Sequence, residues 1–329
     1  MRTSGTDPTP LVRARTALRT VAAVGLTAVM LWWAGPAEVW RAARGASWAW
    51  IGGAVLLVIA DRVLMAYRWV ALLRTIPRAA RPPLREILRV FFVSTYLGTF
   101  LPGSVGGDAV RTYALNRLDV PAADAFASVF LDRLLGIVSL LVMAILGLVL
   151  ARDLARDPAV LVSLAATTLV CAAAAVAIFS RRAAALGGAV ARRLPSARAG
   201  RVTTGVVSGL QRYAPERRIL GLVLAASIAV QILRVLQAFC LGRSLGMTLP
   251  VGAYFAFIPV ILLVMLLPIS INGLGTSQLA FVGLFGRAGV AEGPAFALSV
   301  LFLALGVIGN LPGGLLYALG RGERRVVSP

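Results

Sequence analysis

The chain has 329 residues, 59% hydrophobic and 14% charged, with a mean hydropathy of +0.86; no surface in water tolerates this, so the chain is a polytopic membrane protein. All 33 basic residues are arginine against 13 acidic ones, a net +20, and lysine and histidine do not occur. That excludes Schiff bases, P-loop lysines, imidazole bases, histidine metal ligands and Ser-His-Asp triads, and leaves Cys171 and Cys240, inside apolar runs, as small packing residues.

A helix needs about 20 apolar residues to cross a hydrocarbon core of roughly 30 Å. Six runs qualify, at about 18–36, 48–73, 122–150, 158–180, 219–242 and 294–319. The first follows a basic N-terminal segment and reads as an uncleaved helix rather than a signal peptide ending near Ala34-Gly35-Pro36-Ala37. The second runs into Arg74, Arg78, Arg81, Arg85 and Arg89. Then only twelve mostly apolar residues, 90–101, precede Pro102-Gly103-Ser104-Val105-Gly106-Gly107-Asp108, about 18 Å of helix. With the short limb 109–118 this predicts a re-entrant hairpin at about 90–118, opening to the cytoplasm. After the runs at 122–150 and 158–180 comes a linker, 181–218, with nine arginines, expected to carry a surface amphipathic helix against anionic lipid. Beyond 219–242, a second broken element spans about 253–290 with Pro259 and Pro268, either dipping from outside or crossing twice. The last run ends at Arg321, Arg324 and Arg325, with Asn310-Leu311-Pro312-Gly313-Gly314 expected as a kink.

The arginines fall into four clusters between apolar runs, while 38–44, 152–157 and 243–250 are nearly neutral. This is the positive-inside pattern with both termini cytoplasmic. It accounts for the charge through the membrane surface and leaves no role for nucleic acid.

The two halves match. Leu101-Pro102-Gly103-Ser104-Val105-Gly106-Gly107 answers Leu267-Pro268-Ile269-Ser270-Ile271-Asn272-Gly273 at an offset of 166, which also carries Arg68 onto Arg234, and Ala125-Phe126-Ala127 answers Ala295-Phe296-Ala297 at 170. Because 219–242 leaves the cytoplasm and 48–73 arrives there, the repeat is inverted. The expected organisation is 1–46, an N-terminal tail and first helix; 47–180, a first repeat; 181–218, the linker; and 219–329, a second repeat. The fold class is all-α, with about six full spans and two broken helical hairpins. Paired breaks in inverted repeats point to a central transport site, since irregular backbone at membrane depth must line a cavity.

Charges inside apolar helices need partners or water. The set is Asp61, Arg62 and Arg68, then Asp108 and Arg111, then Asp132 and Arg133, with Arg234 in the second half. Asp108 and Arg111 at i, i+3 are expected to pair. Ion pairs here can simply cement the hairpin to its neighbours, yet arginines outnumber carboxylates, so Arg111, Arg68 and Arg234 are candidate anion ligands; an unpaired guanidinium beside a helix end suits phosphate. Asp61, Asp108 and Asp132 are candidate proton carriers. Asn272, Gly273, Gly275, Thr276, Ser277 and Gln278, with Gln231 and Gln237 flanking Arg234, form a neutral hydrogen-bonding wall; such residues also glue helices together in lipid.

The string Leu101-Pro102-Gly103-Ser104-Val105-Gly106-Gly107-Asp108-Ala109-Val110-Arg111, with Asp132-Arg133-Leu134-Leu135-Gly136 and Asn272-Gly273-Leu274-Gly275, resembles the lysylphosphatidylglycerol synthase transmembrane family, also called the flippase-like family. The resemblance implies a bacterial or archaeal inner-membrane protein with lipid-handling relatives. The family's Gly-Gly-Asp-x-x-Arg element falls on Gly106, Gly107, Asp108 and Arg111, and its Asp-Arg pair on Asp132 and Arg133. Members often carry Arg-Glu after the Asn-Gly-x-Gly turn where this chain has Ser277-Gln278, which weakens an aminoacylated lipid as substrate.

The expected function is a translocator of an anionic phospholipid, glycolipid or polyprenyl-linked lipid, the headgroup held by Arg111, Arg68, Arg234, Ser104, Gly106, Gly107, Asn272, Gly273, Gly275 and Gln231. No cofactor or metal is expected, and the oligomeric state stays open. Rival readings are a membrane transferase using Asp61, Asp108 or Asp132, each beside an arginine that disfavours a metal, and a scaffold for a lipid-synthesis complex.

Overall fold

The computed structural model describes residues 45–77, 81–100, 106–150, 207–266 and 276–319, with isolated positions 162, 165, 168 and 169. Among the described residues there are helices and no strands. Besides a short helical segment at 207–211, they are in chain order α1 (Trp48–Leu73), α2 (Leu84–Gly98), α3 (Gly106–Asn116), α4 (Ala122–Leu150), α5 (Arg217–Ser244), α6 (Val251–Leu266), α7 (Thr276–Arg287) and α8 (Glu292–Ala318). Four of them, α1, α4, α5 and α8, are long and apolar enough to cross a membrane. These are the expected runs at 48–73, 122–150, 219–242 and 294–319; the run at 18–36 and, apart from four helical positions, the run at 158–180 lie outside the described residues, as do the 101–105 and 267–275 breaks.

The halves of each broken element are short. Helices α2 and α3 have 15 and 11 residues, α6 and α7 16 and 12, which at 1.5 Å per residue is roughly 16 to 24 Å, less than a hydrocarbon core. Glycines allow α2 and α3 to touch backbone to backbone: a Cβ on Gly98 would stand 2.8 Å from the Cα of Gly107, and one on Gly107 would stand 2.9 Å from the Ser94 carbonyl oxygen. On α8, Gly313 admits the Phe92 backbone carbonyl and Gly314 admits the Tyr96 ring of α2. Helix α8 runs on through Pro312, with Gly313 and Gly314 serving as a packing surface.

Helices α1 and α5 pack side by side and antiparallel. The backbone N–H of Ser47 donates to the Ser244 carbonyl, Gly53 faces Cys240, Asp61 meets Arg234 and Arg68 meets Ser227. One contact series therefore rises along α1 as it falls along α5. An apolar cluster joins these helices to α6, α7 and α8 around Tyr254, Phe281 and Phe285; a second joins α1 to α4 and α5 through Leu72, Leu131 and Val223; a third holds α2 against α1 and α4 around Trp69, Phe91 and Val129. Between the clusters lies the polar centre.

The described end of the linker is helical over 207–211 and packs against α4. Gly209 sits on Ala123 and Ala127 of α4, Tyr213 is buried, and Arg212 pairs with Asp124 at 3.1 Å. Leu210 and Tyr213 are apolar enough to dock this segment onto α4; the linker before 207 lies outside the described residues.

Candidate functional site

The charged residues of the spanning helices converge. Asp132 of α4 bridges two arginines, Oδ1 accepting from Arg68 Nε at 2.7 Å and Oδ2 from an Arg111 terminal nitrogen at 3.4 Å. All three are 5 or 6% exposed. Arg111 also donates to Ser94 and Thr95 at 3.2 and 3.3 Å, and its guanidinium lies 4.8 Å from the ring centres of both Trp69 and Phe91. This aromatic enclosure keeps a buried cation in place. Arg68 donates to Ser227 at 3.0 Å and lies against Gly136, where an added Cβ would make ordinary contact with its guanidinium at 3.5 Å.

Asp61 of α1 does for α5 what Asp132 does for α1, accepting from Arg234 at 3.2 Å and from Arg62 at 3.0 Å. Asp108 accepts twice from Arg133, at 2.6 and 2.9 Å, fastening α3 to α4.

Two expectations are corrected here. Asp108 and Arg111 do not pair with each other; each turns to α4, whose Arg133 and Asp132 offer the opposite charge across the helix interface. Nor are Arg111, Arg68 and Arg234 unpaired: burial in an apolar bundle demands counter-charges. Three aspartates nevertheless serve five arginines, leaving an excess of two positive charges.

These groups surround a cavity of about 340 Å³, at the small end for ligand sites. Arg68, Arg111, Arg133 and Arg234 line it with Asp108 and Asp132, joined by Gly107 and Gln231. Asp61 holds Arg234 through one oxygen and Arg62 through the other, and neither Asp61 nor Arg62 lines the cavity. Gly106 opens α3 but does not line the cavity. Gln237 is buried elsewhere on α5. Ser277 is buried with its hydroxyl on the Gln278 side chain and is likewise off the lining. Ser104, Asn272, Gly273 and Gly275 lie outside the described residues.

The structure adds residues that sequence reading missed. Ser94, Thr95 and Thr99 of α2 and Asn310 of α8 line the cavity, and Ser227 joins the Arg68 network. Ser94, Thr95, Gly98 and Thr99 form a polar stripe in an otherwise apolar limb, and Ser227, Gln231 and Arg234 fall at i, i+4 and i+7 on α5; helical spacing was the available signal. For Asn310 the neighbouring Pro-Gly-Gly masked it.

Four arginines and two aspartates around one cavity make an anion site walled by hydroxyls and amides. No curated protein matches the chain. The lysylphosphatidylglycerol synthase TM region, a membrane domain linked to lipid modification or translocation, matches residues 20–313, and the chain belongs to that family.

Proposed function

We propose that this protein translocates a lipid with an anionic headgroup across a bacterial inner membrane without chemically altering it. The headgroup occupies the arginine-lined cavity, contacted by Arg68, Arg111 and Arg234, while the acyl or prenyl tails remain in the bilayer. The observation that carries this reading is the excess of positive charge around a cavity set among membrane-spanning helices. Isolated buried arginines are expensive in lipid, so a surplus beyond the aspartates fits a site that receives negative charge.

In this reading α2–α3 and α6–α7 are re-entrant hairpins, both termini are cytoplasmic, and the halves form an inverted repeat that rocks about the cavity. The contacts between α1 and α5 support the repeat. The offset of 166 carries Asp61 onto Ser227 and Arg68 onto Arg234, so the Arg68–Ser227 and Asp61–Arg234 contacts exchange under it, as a two-fold axis between the helices requires.

The test is reconstitution in vesicles containing a fluorescently tailed phosphatidylglycerol, with inner-leaflet probe followed as it becomes accessible to an impermeant quencher. The wild type should expose the probe faster than empty vesicles, and Arg111→Gln, retaining donors for Ser94 and Thr95 and leaving Asp132 with Arg68, should lose most of that rate while remaining folded. A folded Arg111→Gln variant moving lipid at the wild-type rate contradicts the assignment.

A further inference from the structure

Two amides on the cavity lining hold an oxygen with nothing to accept. Gln231 is 4% exposed and its Oε1 has no hydrogen-bond partner; the Oδ1 of Asn310 is likewise buried and unpartnered. Their orientations follow from the neighbouring hydroxyls. Ser139 spends its proton on the Gly136 carbonyl at 2.7 Å, so its oxygen can only accept, and Gln231 Nε2 points at both Ser139 and that carbonyl at 3.4 Å. Thr99 spends its proton on the Thr95 carbonyl at 3.0 Å and accepts from Asn310 Nδ2 at 2.9 Å. In each case the amide nitrogen is committed and the carbonyl oxygen is left over. A buried acceptor without a donor is destabilising, the more so in a bundle surrounded by lipid.

The donors that would satisfy these oxygens are not cationic. Asp61 and Asp132 each give both oxygens to arginines, Asp108 is tied through its Oδ2 to Arg133, and the surplus charge around the cavity is positive, so an ammonium would meet net repulsion. We infer that Gln231 and Asn310 are specificity-determining residues that read hydroxyl groups on the headgroup, and that the substrate class is a lipid whose phosphate carries a hydroxylated substituent, a polyol or sugar, rather than a bare phosphate or an aminoalkyl phosphate. This rests on the anionic-lipid reading above and narrows it.

The experiment uses the full-length protein in detergent with short-chain phosphatidylglycerol, phosphatidylmethanol and phosphatidylethanolamine as probes, retention being read by native mass spectrometry. The first two carry the same charge and differ in headgroup hydroxyls. The wild type should retain phosphatidylglycerol about tenfold more tightly than phosphatidylmethanol, since two neutral hydrogen bonds are made by one and not the other, and phosphatidylethanolamine least. Gln231→Leu and Asn310→Leu should each lower phosphatidylglycerol towards the phosphatidylmethanol level, with phosphatidylmethanol itself unchanged; if one variant does not fold, the other and the wild-type ratio decide. Equal retention of the first two lipids by the wild type, or a preference for phosphatidylethanolamine, overturns the inference while loss of binding in Arg111→Gln still upholds the anion site. Retention insensitive to both lipid and Arg111→Gln removes the anion site and this inference with it.

Discussion

Asp132 holds Arg68 at 2.7 Å and, through its other oxygen, Arg111 at 3.4 Å, so one carboxylate ties α4 to α1 and α3. Removing it strands two buried guanidiniums, whereas removing Arg68 leaves Asp132 with Arg111. Breaking one side of a buried ion pair costs about 3–5 kcal/mol. Asp132→Ala should therefore lower the melting temperature in detergent further than Arg68→Met does. The opposite order would show that Asp132 is not the shared anchor.

The closeness of α2 and α3 depends on Gly98 and Gly107. A methyl on Gly98 meets backbone, which cannot rotate away. Gly98→Ala should separate the two helices, reduce lipid retention several-fold and lower the melting temperature, while Gly52→Ala, which meets nothing within 4 Å, should leave both at wild-type values. Equal behaviour of the two variants contradicts the close approach.

Antiparallel packing of α1 against α5 places a Cβ at position 53 within 3.8 Å of Cys240 Sγ, inside disulfide reach. In a Cys171→Ala background, Gly53→Cys should form an intramolecular disulfide with Cys240 on mild oxidation, identified by peptide mass mapping. Persistently free thiols would refute the register from which the paired Arg68–Ser227 and Asp61–Arg234 contacts follow.

Much of this architecture was legible because apolar run length reports directly on spanning helices: 48–73 coincides with α1, and α4 begins at the expected 122. The inward-facing arginines were legible too, since charge at membrane depth is conspicuous. Partner choice was not. That Arg111 selects Asp132 over Asp108 three residues away depends on the rotation of α3 against α4, which no linear spacing encodes. Asn310 was hidden for a related reason: the Pro312-Gly313-Gly314 run after it marks a close helix contact in the fold, yet in sequence it has the composition of a break.

The central claim is that the arginine cavity holds an anionic lipid, and the most direct measurement is mass spectrometry of lipids retained by the protein extracted in native membrane patches, comparing wild type with Arg111→Ala. The account predicts enrichment of one anionic, hydroxyl-bearing lipid with the wild type and its loss from a folded Arg111→Ala variant. Bulk-membrane lipid composition around both proteins would contradict it.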